Sequence, residues 1–226
     1  MNIPIQSLNN ILFLIAIIFP AGLGANLLMP FQKKFKSSIS SGLAGMVIGY
    51  FIIIILVLYI KPKLILTFNT TQVIMFPIAL LSGIFCIFIE YLIGIFQLYC
   101  ITGKLITKMA IHSSYSGYQQ VTIWDVLMIL TFVICEELIL RQTPFLLFSQ
   151  TFKLQSWLTI LFCSIIYAIN HITFGLQVLP QKTISGLIYT LLYYISGNSI
   201  IIVVIGHFTQ NISLLFMSRT GRENES

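Results

Sequence analysis

Seven apolar runs recur along this chain, and most are long enough to cross a bilayer as a helix. They cover roughly 8–29, 39–60, 72–102, 123–150, 156–175, 183–196 and 198–217. Crossing a hydrocarbon core of about 30 Å takes about 20 consecutive apolar residues. Composition agrees, with 58% hydrophobic residues, 8% charged residues and a mean hydropathy of +0.98. Soluble domains carry roughly a quarter charged residues, so this chain lacks the polar surface that water requires. The expected fold is all-α, a polytopic transmembrane helix bundle of seven to eight spans whose outer surface meets membrane lipid. The third and fourth runs exceed the length needed to span and must tilt, bend or project. Pro144 is expected to bend or end the fourth run, and a break there would raise the count from seven to eight. The sixth run is short. It crosses obliquely or pairs with the seventh as a tight hairpin through Ser196-Gly197-Asn198.

The net charge of +6 does not indicate nucleic-acid binding, because the basic residues fall in short loops between runs and form no stripe with interleaved aromatics. With the N-terminus outside and the C-terminus cytoplasmic, Lys33, Lys34, Lys36, Lys104, Lys108, Lys182, Arg219 and Arg222 lie inside, and only Lys61, Lys63 and Lys153 lie opposite. That is the bias the positive-inside rule asks for. The start of the chain has no cationic stretch before its first apolar run and is read as a retained helix rather than a cleaved signal. Cys86, Cys100, Cys135 and Cys163 lack CxxC spacing and are expected to act as small packing residues. Gly45 and Gly49 form a GxxxG pair that could support a homodimer, although so common a pattern does not establish one. Low charge with many Ile and Lys residues points to the cell membrane of a low-GC bacterium. The expected organisation is an N-terminal set of about three helices over 1–122, a functional helix core over 123–217, and a short polar tail over 218–226.

Function is carried by polar residues far from the ends of apolar runs: Glu90, Glu136, Glu137, Arg141, Asn170, His171, His207 and Asn211. An Asp or Arg at a helix centre costs about 2.5–3.5 kcal/mol on insertion scales, and such residues usually face a bundle interior or a wet cavity. Glu137 and Arg141 are four apart, on one helix face and within ion-pair reach. Glu136 points away and finds no partner in its own helix, which is the profile of a general base. Tyr167 with His171, and His207 with Asn211, each repeat the spacing of four. A carboxylate, two imidazoles and an amide on three helices could converge on one buried aqueous pocket able to activate water and hold an oxyanion. Each of these residues alone has a structural reading, as a satisfied buried histidine or an ion-pair clamp, but the combination is hard to explain that way. His112 is read as a loop residue and Asp125 as a cap or anchor of the fourth run. Glu90 either lines the same cavity or faces a lysine at the interface.

These residues form an EExxxR motif (Glu136, Glu137, Arg141), an aromatic-xxx-His motif in "YAINH" and an HxxxN motif in "HFTQN". In this order, over residues 123–217, they resemble the CPBP family of CAAX-prenyl-protease and bacteriocin-processing intramembrane endopeptidases, also called Abi proteins. Tyr167 stands where the family usually has Phe. The resemblance implies hydrolysis of a peptide bond in a membrane-presented peptide or protein. Glu136 with His171 would activate water, and His207 with Asn211 would hold the oxyanion. Glu137, Arg141 and Tyr167 would orient the site. Zinc on Glu136, His171 and His207 is a possible variant, but a metal-free route is favoured because no HExxH arrangement is present. A CAAX-like prenylated tail and a bacteriocin or pheromone precursor are both precedents for the substrate, and the second suits a small protein of bacterial type better. The main rival function is a non-catalytic immunity or scaffold protein on the same fold. A proton-coupled transporter is a weaker rival, since no inverted repeat is visible.

Overall fold

The computed structural model describes residues 10–11, 13–15, 17–19, 39–104 and 121–223. The first apolar run falls largely outside these residues, as do His112, Lys33, Lys34, Lys36 and Lys108. Every regular element among the described residues is helical. The helices are α1 (Ile39–Ile60), a short α2 (Lys63–Leu66), α3 (Met75–Thr102), α4 (Ile123–Glu137), a one-turn α5 (Thr143–Leu146), α6 (Ser156–Asn170), α7 (Val178–Ile195) and α8 (Ile200–Glu223). Among the described residues, three stretches are long and apolar enough to cross a membrane: Leu43–Ile60, Met75–Thr102 and Ile200–Met217. Ser156–Asn170 is a shorter apolar helix.

The fourth apolar run shows how sequence sets local structure. Thr122 caps α4: its hydroxyl accepts from the Asp125 amide, and the Asp125 carboxylate accepts from the Thr122 amide. This capping box satisfies two of the amides that a helix start leaves unpaired, as expected of Asp125. Pro144 does not end the helix. After Glu137 the chain widens into a π-turn over Leu138–Gln142, resumes as α5, and widens again over Leu147–Thr151. Proline lacks an N–H and its ring collides with the carbonyl four residues earlier in an α-register. A wider turn relieves that conflict without breaking the helix, and π-turns of this kind are often found at functional sites.

Three smaller differences from the sequence reading have simple causes. The helix expected over 183–196 begins at Val178, because Pro180 is tolerated within a first turn. The tail expected over 218–226 continues α8 to Glu223, since Ser, Arg and Thr can propagate an existing helix. Gly45 and Gly49 are buried within the protomer, so this pair packs inside the chain. Between α7 and α8, Gly197 and Asn198 take positive φ (75° and 62°), giving the tight reversal that Ser196-Gly197-Asn198 suggested.

Around α4 the bundle closes, with α1 packed on one side and α8 on another, while α6 packs on α7 and α3 lies across α7 and α8. Outward faces are apolar, as on α3 with Leu81, Ile84, Phe88 and Phe96. The buried interior holds the polar residues. α3 and α8 meet at Gly83 and Gly206, where a Cβ added to Gly83 would stand 2.3 Å from the Gly206 carbonyl oxygen. Because the obstacle is backbone, Gly83→Ala must push the helices apart. It is expected to cost about 1–3 kcal/mol, read as a lower Tm of the detergent-purified protein.

Candidate active site

Glu136 and Glu137 are the last two residues of α4, and Arg141 follows in the π-turn. All three are buried, with Arg141 and Glu137 at 0% exposure and Glu136 at 1%. The expected pairing is present: Arg141 Nε donates to Glu137 Oε2 at 3.0 Å. The guanidinium also donates to the Gly186 carbonyl (3.0 Å) and to Thr190 Oγ1 (2.6 Å), both on α7. Its flat face lies 4.8 Å from the centroid of the Tyr167 ring. The Nε and Nη1 donors of Arg141 thus serve three partners on two helical segments, a use of its planar fork that Lys could not reproduce.

Glu137 has a second task. Its Oε1 lies 2.7 Å from His207 Nδ1 on α8, fixing the imidazole from the side opposite Glu136. The ring of Tyr189 on α7 stacks on His207 at 5.4 Å. On α6, the carbonyl of Tyr167 lies 2.9 Å from His171 Nδ1. A carbonyl only accepts, so the His171 proton sits on Nδ1 and Nε2 presents a lone pair.

Both Nε2 atoms face Glu136. His171 Nε2 is 3.5 Å from Glu136 Oε1, and His207 Nε2 is 3.9 Å from Oε2. Neither distance is a good hydrogen bond, and neither oxygen of Glu136 finds a hydrogen-bond partner among the described residues. Buried carboxylate oxygens are ordinarily satisfied. The residue left without a partner by helical spacing is therefore also without a hydrogen-bond partner among the described residues. Asn211 lies one turn beyond His207 on α8 and is partly buried. The described residues contain no group of three or more His, Cys, Asp or Glu side chains placed to hold a metal ion.

Glu90 resolves toward the interface lysine. On α3 it accepts from Lys182 Nζ at 2.8 Å and from Ser185 Oγ at 2.5 Å, both on α7. All four cysteines are free, and Cys100 is exposed rather than packed. Sequence reasoning missed Gly186, Thr190 and Tyr189. A small-residue spacing of four in "GLIYT" was the available signal, but nothing marked it as facing Arg141. The Tyr167 hydroxyl is buried without a partner, so Tyr167→Phe is expected to keep the ring contacts and leave Tm unchanged or raised. Thermal unfolding in detergent checks this.

An apolar helix bundle that buries two carboxylates, a guanidinium and two imidazoles at one point defines an integral membrane protein with an ionisable centre inside it. Residues 119–213 match the family model described as "Type II CAAX prenyl endopeptidase Rce1-like". This part of the chain is thus similar to a Rce1-like domain, in keeping with the CPBP resemblance, and it contains all three motifs. The family is one of membrane proteases, and the apolar helices place the chain in a membrane. No curated protein and no solved structure matches the chain.

Proposed function

We propose that the protein is an intramembrane endopeptidase that cleaves a membrane-presented peptide with water activated by Glu136. The reading rests on one observation above the others: a buried carboxylate with no hydrogen-bond partner among the described residues, faced by the Nε2 atoms of two histidines. A water held by Glu136 and His171 gives its proton to Glu136 while its oxygen attacks the scissile carbonyl carbon. His207 and Asn211 hold the resulting oxyanion. Glu136 then returns the proton to the departing amine as the C–N bond breaks. Glu137, Arg141 and Tyr167 fix His207 and the end of α4.

Charge balance supports these roles. To donate from Nε2 while Nδ1 faces Glu137, His207 must be an imidazolium. Two carboxylates then meet one guanidinium and one imidazolium, a neutral set. When Glu136 takes the proton, the new positive balance matches the oxyanion, so the low-dielectric interior never holds a net charge.

The helices enclosing this site would make seven to eight spans, with the N-terminus outside and the C-terminus cytoplasmic. Residues 1–122 would pack around a catalytic core over 123–217. A CAAX-like prenylated tail is favoured as substrate over a bacteriocin or pheromone precursor, because the matching family is named for that activity. The test compares membrane peptides from cells carrying wild type or Glu136→Gln by mass spectrometry. A precursor should accumulate in the variant with its cleaved product missing. Identical peptide pools, with full biological activity of the variant, would favour the non-catalytic scaffold.

A further inference from the structure

Tyr50 lies outside the three motifs and outside the matched segment 119–213, and the role assigned to it below rests on the endopeptidase reading. Tyr50 is on α1 and is fully buried. Its ring meets Phe132 edge-on at 5.7 Å between centroids. Phe132 is one turn before Glu136 on the same face of α4, so this contact carries the Tyr50 side chain along the face that ends in the unpartnered carboxylate. The hydroxyl oxygen accepts a hydrogen bond from Asn170 Nδ2 at 3.0 Å. Asn170 is the last residue of α6, immediately before His171. Tyr50 is therefore held at two points, each adjacent in its helix to a residue of the site.

The Asn170 amide occupies a lone pair of the hydroxyl, so the Tyr50 proton remains available for donation. Among the described residues no acceptor takes it, and the hydrogen bond seen there is the one the hydroxyl accepts. The Asn170 Oδ1 beside it is also buried without a partner. A buried donor, two unsatisfied carboxylate oxygens and an unsatisfied amide oxygen in one neighbourhood do not describe a finished apolar core. They describe a lining that is completed by a polar guest.

We propose that Tyr50 is a further catalytic residue, whose phenolic O–H, held by Asn170, donates a hydrogen bond to the oxyanion of the tetrahedral intermediate. The proton stays on Tyr50 throughout, and no bond to it forms or breaks. Fixed donors aimed at developing charge need no reorganisation during the reaction, and losing one costs about 100- to 1,000-fold in kcat. The site would thus be built from both halves of the chain, with one donor supplied from α1.

The probe is the peptide that accumulates in membranes of the Glu136→Gln cells, synthesised with a quenched fluorophore and presented to the full-length protein in proteoliposomes. Tyr50→Phe removes a single oxygen and is expected to lower kcat about 100-fold while KM stays within about twofold. A second probe replaces the scissile amide of the same peptide with a tetrahedral phosphonate. Tyr50→Phe should weaken phosphonate binding by a factor similar to its loss in kcat, and leave binding of the uncleaved peptide unchanged. A structural clamp would change Tm and spare that ratio. Glu136-dependent cleavage that Tyr50→Phe carries out at wild-type kcat, with phosphonate affinity intact, overturns the role of Tyr50 alone. If no peptide accumulates, or Glu136→Gln cleaves at the wild-type rate, the endopeptidase reading itself falls.

Discussion

Replacing Glu136 by Gln is expected to lower the rate of peptide cleavage by about a hundred- to ten-thousand-fold, the usual contribution of a positioned general base, without unfolding the protein. The two halves of this expectation come from the same geometry. Glu136 accepts no hydrogen bond from a described residue, so its loss removes no native contact of that kind. A buried charge without a close partner is costly to keep, so the amide is expected to leave Tm unchanged or raise it. Glu137→Gln should behave differently. Glu137 accepts from Arg141 and holds His207, so its neutralisation should lower both Tm and rate. Parallel thermal unfolding and cleavage assays on the two adjacent variants would separate them. Equal losses of Tm would show that Glu136 is a structural residue like its neighbour.

Arg141→Leu is expected to be the most destabilising single change, at about 3–5 kcal/mol, because it strands the Glu137 carboxylate inside the bundle. It also strips donors from the Gly186 carbonyl and the Thr190 hydroxyl. Arg141→Lys should rescue little, since one ammonium cannot reach Glu137, Gly186 and Thr190 in the plane that the guanidinium fills. The informative variant is Glu137→Leu/Arg141→Leu. Exchanging a whole buried pair for apolar side chains is often neutral or stabilising, so Tm should recover much of the loss. Catalysis should not recover, because His207 Nδ1 would lose the carboxylate that orients it. Recovery of both would mean that the pair has no role beyond folding.

Much of this site could be read from the chain, and the reasons are local. Spacings of four placed Glu137 on Arg141 because both lie on one continuous helical path, and the same spacing left Glu136 unpartnered. The capping role of Asp125 followed from Thr122 standing three residues before it. Pairing across helices was beyond such reasoning. Glu90 could equally have faced the cavity or a lysine, since the answer depends on how α3 meets α7. Pro144 was legible only in part for a related reason: its cost to an α-register is visible in sequence, but the π-turns that absorb that cost, so that the helix does not end there, depend on the packing around them. Tyr50 gave no signal at all, being one aromatic residue within a run of apolar ones.

The close approach of Gly83 to the Gly206 carbonyl has a bearing on how portable this domain is. Gly206 directly precedes His207, and a single buried cluster runs from Tyr50, Val57 and Ala79 through Leu140 and Tyr167 to Val203. The stretch that matches the family, 119–213, therefore ends in sequence where the packing does not. Excised, it would lose the helix that seats one of its histidines and expose an apolar seam along α8. The motifs can be inherited as a cassette, but the protein around them has to be supplied whole.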